Sequence, residues 1–103
     1  MSEDEYFEKL GVRIGGLKQI WTSPRKCHWL MEVNECWIKL TTRQMTSQRG
    51  FWNVCVKYFL NNLGAVRARG NFPLPKSVPD SDWRDLFNRV LAPRIIEVGK
   101  RGE

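Results

Sequence analysis

Apolar and polar positions alternate strictly along two stretches in the first half of the chain and shift to helical spacing in the second. From His28 to Val33, Trp29, Met31 and Val33 share one face. From Cys36 to Leu40, Cys36, Ile38 and Leu40 alternate with Trp37 and Lys39. A period of two marks a half-buried strand of an antiparallel sheet. The Asn34-Glu35 step between the two runs reads as a tight turn, because Asn tolerates left-handed backbone. Leu17 to Thr22 reads as a strand before them, with Ser23-Pro24-Arg25-Lys26 as the turn between. Ahead of the sheet, residues 3–10 fit a short helix with Tyr6, Phe7 and Leu10 on one side. Gly11 is expected to end it, and the Gly15-Gly16 pair to permit further turning.

After Leu40 the pattern turns helical. Thr41 with Gln44 fits a capping box, with Thr42 as an alternative cap one residue later. Met45, Phe51, Trp52, Cys55, Tyr58, Phe59 and Leu63 follow. Phe51 to Leu60 is apolar almost all round, which predicts a segment lying between other elements, with Trp52 in the core. Gly50 is the expected place for a bend and Gly64 for the helix end. Residues 65–80 form a basic, proline-containing loop. A second helix starts at Asp80-Ser81-Asp82, turns Trp83, Leu86, Phe87, Val90 and Leu91 inward, and is expected to stop at Pro93. Arg94 to Val98 reads as a short late strand and residues 99–103 as a frayed tail. The fold class is thus α+β: a small three-stranded antiparallel sheet with two main helices and that late strand, in one domain spanning 1–103.

Composition sharpens this picture at one point. The 103 residues carry 17 Lys and Arg against 11 Asp and Glu, a net charge of +6 that is unevenly spread. Residues 1–10 hold four acids and one lysine, an acidic helix or arm. Residues 11–76 hold eleven Lys or Arg against Glu32 and Glu35 alone, and residues 77–103 are balanced. One basic face is expected, suited to phosphates or to an acidic protein surface. The acidic N-terminus and the lack of any long apolar run predict a cytoplasmic protein with no membrane partner.

Catalytic signatures are missing. The sequence has no phosphate-cradling glycine loop and no nucleophile elbow, and its single histidine, His28, falls mid-hairpin. Asp80, Asp82 and Asp85 resemble helix-capping acids rather than an acid–base pair. Cys27, His28 and Cys36 are residue types that bind zinc, but adjacent strand residues point to opposite faces, so Cys27 and His28 diverge. The expectation is a non-enzyme with no metal or other cofactor and with reduced cysteines in or near its core.

The candidate binding residues fall into three groups. The first is a polar helical stripe, Arg49, Asn53 and Lys57, with Arg43 at the helix start. The second is the loop pair Arg67 and Arg69, with Lys76 following. The third is the sheet, where Lys18, Arg25 and Lys39 accompany Trp37 and its neighbours Trp21 and Trp29. Exposed indoles among cations make a stacking surface for single-stranded nucleic acid. A helix followed by a basic loop is also how winged-helix modules meet a duplex.

Ser23-Pro24 before a strand hairpin, Leu40-Thr41-Thr42-Arg43-Gln44-Met45 with Phe51 six residues on, the Pro75-Lys76 loop, Asp82-Trp83, Asn88, Leu91 and a closing strand together carry a resemblance. Over roughly residues 16–98 the chain resembles accessory, winged-helix-like domains associated with primases and primase–helicases of phages and mobile elements. The resemblance implies a module that binds DNA or docks a replication enzyme, without the primase or helicase activities, whose motifs are missing here. Two functions follow as expectations. One is a non-catalytic nucleic-acid-binding accessory protein of phage or mobile-element DNA replication, taking single- or double-stranded DNA. The other is a phage-encoded interaction module, an inhibitor or subunit acting on a host nucleoprotein machine such as a replication or defence complex.

Overall fold

Three strands run as an antiparallel meander in the order β1–β2–β3: β1 (Ile14–Ser23), β2 (Lys26–Val33) and β3 (Cys36–Leu40). In this computed structural model, which describes residues 2–62 and 74–101, the hairpin register pairs Met31 with Leu17 on one side and with Ile38 on the other. Asn34 and Glu35 make the β2–β3 turn with φ of 48° and 66°. Both are left-handed, as a two-residue turn between twisted strands requires. The Asn34 side chain then accepts from the Arg13 N–H at 2.9 Å, fixing the start of β1 against this turn.

The register leaves one face of the sheet buried. Trp29, Met31, Val33, Cys36, Ile38, Leu40 and Ile14 all point into the core. Against them pack Tyr6, Phe7 and Leu10 of α1 (Glu3–Leu10), Phe51 and Cys55 of α3 (Gln48–Asn61), and Trp83, Leu86, Val90 and Leu91 of the C-terminal helix. Fully burying such an apolar side chain contributes about 1.5–3 kcal/mol, so this layer contact is the main source of stability. The result is a small α+β fold with helices on one side of an open sheet. Among the described residues no helix is long and apolar enough to cross a membrane.

The helix boundaries follow from capping chemistry. Ser2 accepts from the Glu5 N–H at the start of α1, and Gly11 closes it with φ of 78°. The Thr41–Gln44 capping box forms as expected and opens α2 (Thr42–Thr46). The bend lies at Ser47, not at Gly50. Ser47 takes an extended conformation, and its hydroxyl accepts from the Gly50 N–H to start α3. Gly50 instead allows the corner to close: a β-carbon there would stand 3.2 Å from Gln44 Cα.

Four further expectations are corrected. Gly15 and Gly16 lie inside β1, where the register shifts between Ile14 and Leu17, and make no separate turn. Trp52 is not in the core: it is 38% exposed, and α3 buries only Phe51 and Cys55 fully, so the helix lies at the surface. The late strand at 94–98 does not form. The helix α4 (Asp80–Leu86) passes through a π-helical turn, Phe87–Leu91, into α5 (Ala92–Arg101). Pro93 has no N–H to give and would clash in a regular helix. The wider turn, in which the Ala92 N–H reaches the Phe87 carbonyl, shifts the hydrogen-bond register immediately before the proline and lets the helix continue. Consequently residues 99–101 are helical and not part of a frayed tail.

Arg94 explains why α5 docks where it does. Its guanidinium donates to the Gly15 carbonyl at 2.6 Å and to the Glu3 carboxylate, tying α5 to β1 and α1. The irregular start of β1 supplies the free carbonyl. Tyr6 donates to the Asp85 carboxylate, and Lys9 pairs with Asp82 at 3.2 Å, completing the same seam.

Candidate functional site

The segment 74–79 is held against the helices by side chains. The Lys76 N–H donates to the Leu10 carbonyl at 2.7 Å, satisfying one of the open carbonyls at the end of α1. The Gln48 amide then grips Val78 from both ends, accepting from its N–H at 2.7 Å and donating to its carbonyl at 2.9 Å. Trp52 Nε1 donates to the Pro75 carbonyl at 2.6 Å. These bonds fix the start of α3 relative to the start of α4.

A cleft of about 720 Å³ lies between those two helix starts. Small-molecule sites range from roughly 300 to 1,000 Å³. Arg49, Asn53 and Trp52 line it from α3, and Trp83, Arg84 and Phe87 from the C-terminal helix. Asp80 is the one acid on its wall, hydrogen-bonded to Gln48 Nε2 at 3.2 Å. The buried Trp83 Nε1–H has no acceptor among the described residues. Trp83 also borders a second, very small void near Tyr6, Lys9 and Asp82.

The α2–α3 segment carries cations and no acid. From Cys36 to Pro79 the sequence contains seven Lys or Arg and no acid. The first turn of α3 carries no carboxylate, whereas α1 has Glu3, Asp4 and Glu5 and α4 has Asp80 and Asp82. At the cleft the Asp80 carboxylate, bonded to Gln48 Nε2, supplies the negative charge beside the start of α3. Arg43, Arg49, Lys57 and Arg84 are exposed and make no ion pair with any described acid.

The sequence-derived candidates separate into two places. Arg43 and Lys57 are exposed on α2 and α3 and are not part of the cleft lining, while Arg49 and Asn53 line it from α3. Arg84, which sequence reasoning missed, joins them across the cleft; only the α3–α4 contact reveals it. Lys76 lies on the 74–79 segment with its methylenes over Gly11. Lys18, Lys39 and Trp37 occupy the opposite, outer face of the sheet, where Lys18 and Lys39 flank Leu30, and Arg25 sits at a hairpin tip. Arg67, Arg69 and Gly64 lie outside the described residues.

The sheet tryptophans do not form a common stacking surface. Trp29 is buried and donates to Thr42 Oγ1 at 2.9 Å. Trp37 is half-buried: its ring edge reaches over Gly16, where a β-carbon would stand 2.8 Å from Cη2, and Lys18 Nζ lies 4.7 Å from its ring centroid. A base stacking there has to displace that lysine. Only Trp21, 60% exposed near the end of β1, is open.

Nucleophilic chemistry finds little support. Burial pushes the Cys55 thiol up to about 12, so it stays protonated and inert at neutral pH. None of the three cysteines forms a disulfide, and Cys27 and Cys36 lie at opposite ends of the β2–β3 hairpin. Among the described residues no group of three His, Cys, Asp or Glu side chains is placed to hold a metal. No protein-family model, curated protein or solved structure matches this chain.

Proposed function

We infer that this chain is a non-catalytic nucleic-acid-binding accessory protein, gripping its ligand through α2, α3 and the cleft beside them. The observation that carries this reading is the set of exposed cations Arg43, Arg49, Lys57 and Arg84, which meet no acid among the described residues, with Asp80 the one acid lining the cleft. Each such cation placed against a phosphate releases condensed counterions, a gain in entropy that drives binding at low salt. A role in the replication of phage or mobile-element DNA is what the resemblance to primase-associated domains implies, and the closing strand that was one of its marks is replaced here by helix.

Fluorescence anisotropy with labelled DNA oligonucleotides over a range of salt concentrations tests the reading. Micromolar or tighter binding is expected at about 50 mM salt, weakening steeply as salt rises. Replacing Arg43, Arg49 and Lys57 by Glu together abolishes it. No binding at low salt overturns the reading in favour of a protein-interaction module. Among the described residues the exposed large apolar side chains, Trp21, Trp52, Leu60 and Ile96, are distributed over three different elements.

A further inference from the structure

The cleft contains more than a phosphate-binding surface needs. A site for backbone phosphates alone is served by cations and N–H donors. This one adds the aromatic rings of Trp52, Trp83 and Phe87, the amide of Asn53 and the carboxylate of Asp80. A carboxylate repels a bare polyanion. It suits a ligand that also presents hydrogen-bond donors, such as the exocyclic amine of a nucleobase. Asn53 offers both a donor and an acceptor for the edge of a base.

We propose that the cleft admits one unpaired nucleotide, its base against the aromatic wall and its phosphates toward Arg49 and Arg84, so that the protein selects single strands over duplexes. The proposal rests on the nucleic-acid reading above and adds the ligand's form. Arg49 and Asn53 are one helical turn apart and both line the cleft, which matches the succession of phosphate and base along a strand. The cleft volume of about 720 Å³ leaves room for a nucleotide. In a duplex the base is held inside the helix, and drawing it out costs a few kcal/mol. A single strand pays little of that, and stacking on an aromatic side chain favours it further. Rigidity comes from the Gln48 and Trp52 bonds to segment 74–79, which hold the walls apart before any ligand arrives.

The test compares three labelled probes of equal length at one low salt concentration: a mixed-sequence single strand, the same sequence as a duplex, and a single strand of abasic sites. The native protein is expected to bind the single strand about tenfold or more tighter than either of the others. Trp52→Ala and Asn53→Ala should each lower single-strand affinity by several-fold and leave duplex affinity unchanged, with Trp52→Phe retaining most of it. Asn53→Ala leaves the Trp52–Pro75 bond in place and so separates base contact from any loosening of the cleft. Equal affinity for all three probes, unaffected by these variants, overturns the proposal while the nucleic-acid reading stands. A free mononucleotide that binds as tightly as the strand overturns it too, in favour of a nucleotide site. Failure of every probe to bind removes the reading and the proposal together.

Discussion

Lys9, Arg13, Arg89 and Arg94, on or beside α1 and the C-terminal helix, each sit against a carboxylate, whereas Arg43, Arg49 and Lys57 of α2 and α3 meet none. Both groups lie on the helical side of one small sheet, yet they are used differently. In the first, charge joins segments distant in sequence: Lys9 to Asp82, Arg94 to Glu3 and Gly15. In the second, Arg49 and Lys57 stand exposed on α3, which Phe51 and Cys55 anchor, and Arg43 stands exposed on α2. Lys9–Asp82 and Arg94–Glu3 join distant segments and are partly shielded, while Arg13–Asp4 and the i,i+4 pair Arg89–Asp85 are exposed and local.

The largest test of this division is Trp83, which stands where the two regions meet. It is buried, with its ring centroid 5.1 Å from that of Phe51. Trp83→Ala should cost about 3–5 kcal/mol, enough to unfold much of the protein in a thermal melt, and a stable variant would mean the core is not organised around this contact.

Alkaline pH offers the next effect. The Cys55 thiol is raised from 9.0 to about 12 by burial. The Tyr6 hydroxyl is raised by its hydrogen bond to Asp85 and then by burial. Both groups hold their protons longer when folded. Their contribution is therefore complete below the unfolded values and is lost as pH rises through the folded ones. For Cys55 alone stability should fall by about 1.4 kcal/mol per pH unit above 9. Denaturant titrations from pH 8 to 11 should show this fall, and Cys55→Ala should reduce its slope; an unchanged slope would locate the sensitivity elsewhere.

Arg94→Ala removes two anchoring interactions of α5 and should cost about 1–3 kcal/mol, with DNA affinity little changed. Glu35→Gly relieves a left-handed residue in the β2–β3 turn and should raise stability by up to about 1 kcal/mol. At the small end, Arg43→Ala and Lys57→Ala should each leave the melting transition within about 0.5 kcal/mol of the native protein while weakening DNA binding. The contrast between Arg94 and Lys57 is the sharpest form of the comparison. If both variants lose stability, or both lose affinity, the division between the two regions fails.

The sheet was legible in the sequence because strict alternation over Trp29–Val33 and Cys36–Leu40 admits one register with a buried face. The α2 start was legible because Thr41 and Gln44 carry their own bonding pattern. Trp52 was misplaced for a physical reason: a helix apolar on nearly every side gives no phase, and only the sheet's position decides that Phe51 faces inward and Trp52 does not. The expected strand at 94–98 rested on Pro93 ending a helix, and a π-turn preceding the proline has no clear sequence mark. The cationic stripe of α3 was readable from its spacing. Arg84 was not, since its approach to Arg49 depends on how Gln48 seats segment 74–79.

The seam closed by Arg94 and Tyr6 also sets an order on the birth of the molecule. Tyr6 and Asp85 are 79 residues apart, as are Gly15 and Arg94. The hairpins of the sheet need only nearby residues and can pair while translation is under way. On the ribosome α1, by contrast, emerges before α4 and α5 and waits for them before its apolar side is covered. At about 5–20 residues per second that interval is several seconds, during which Tyr6, Phe7 and Leu10 lack their final neighbours. Of the acids Glu3, Asp4, Glu5 and Glu8 on the same helix, Glu3 and Asp4 then take up their partners, Arg94 and Arg13.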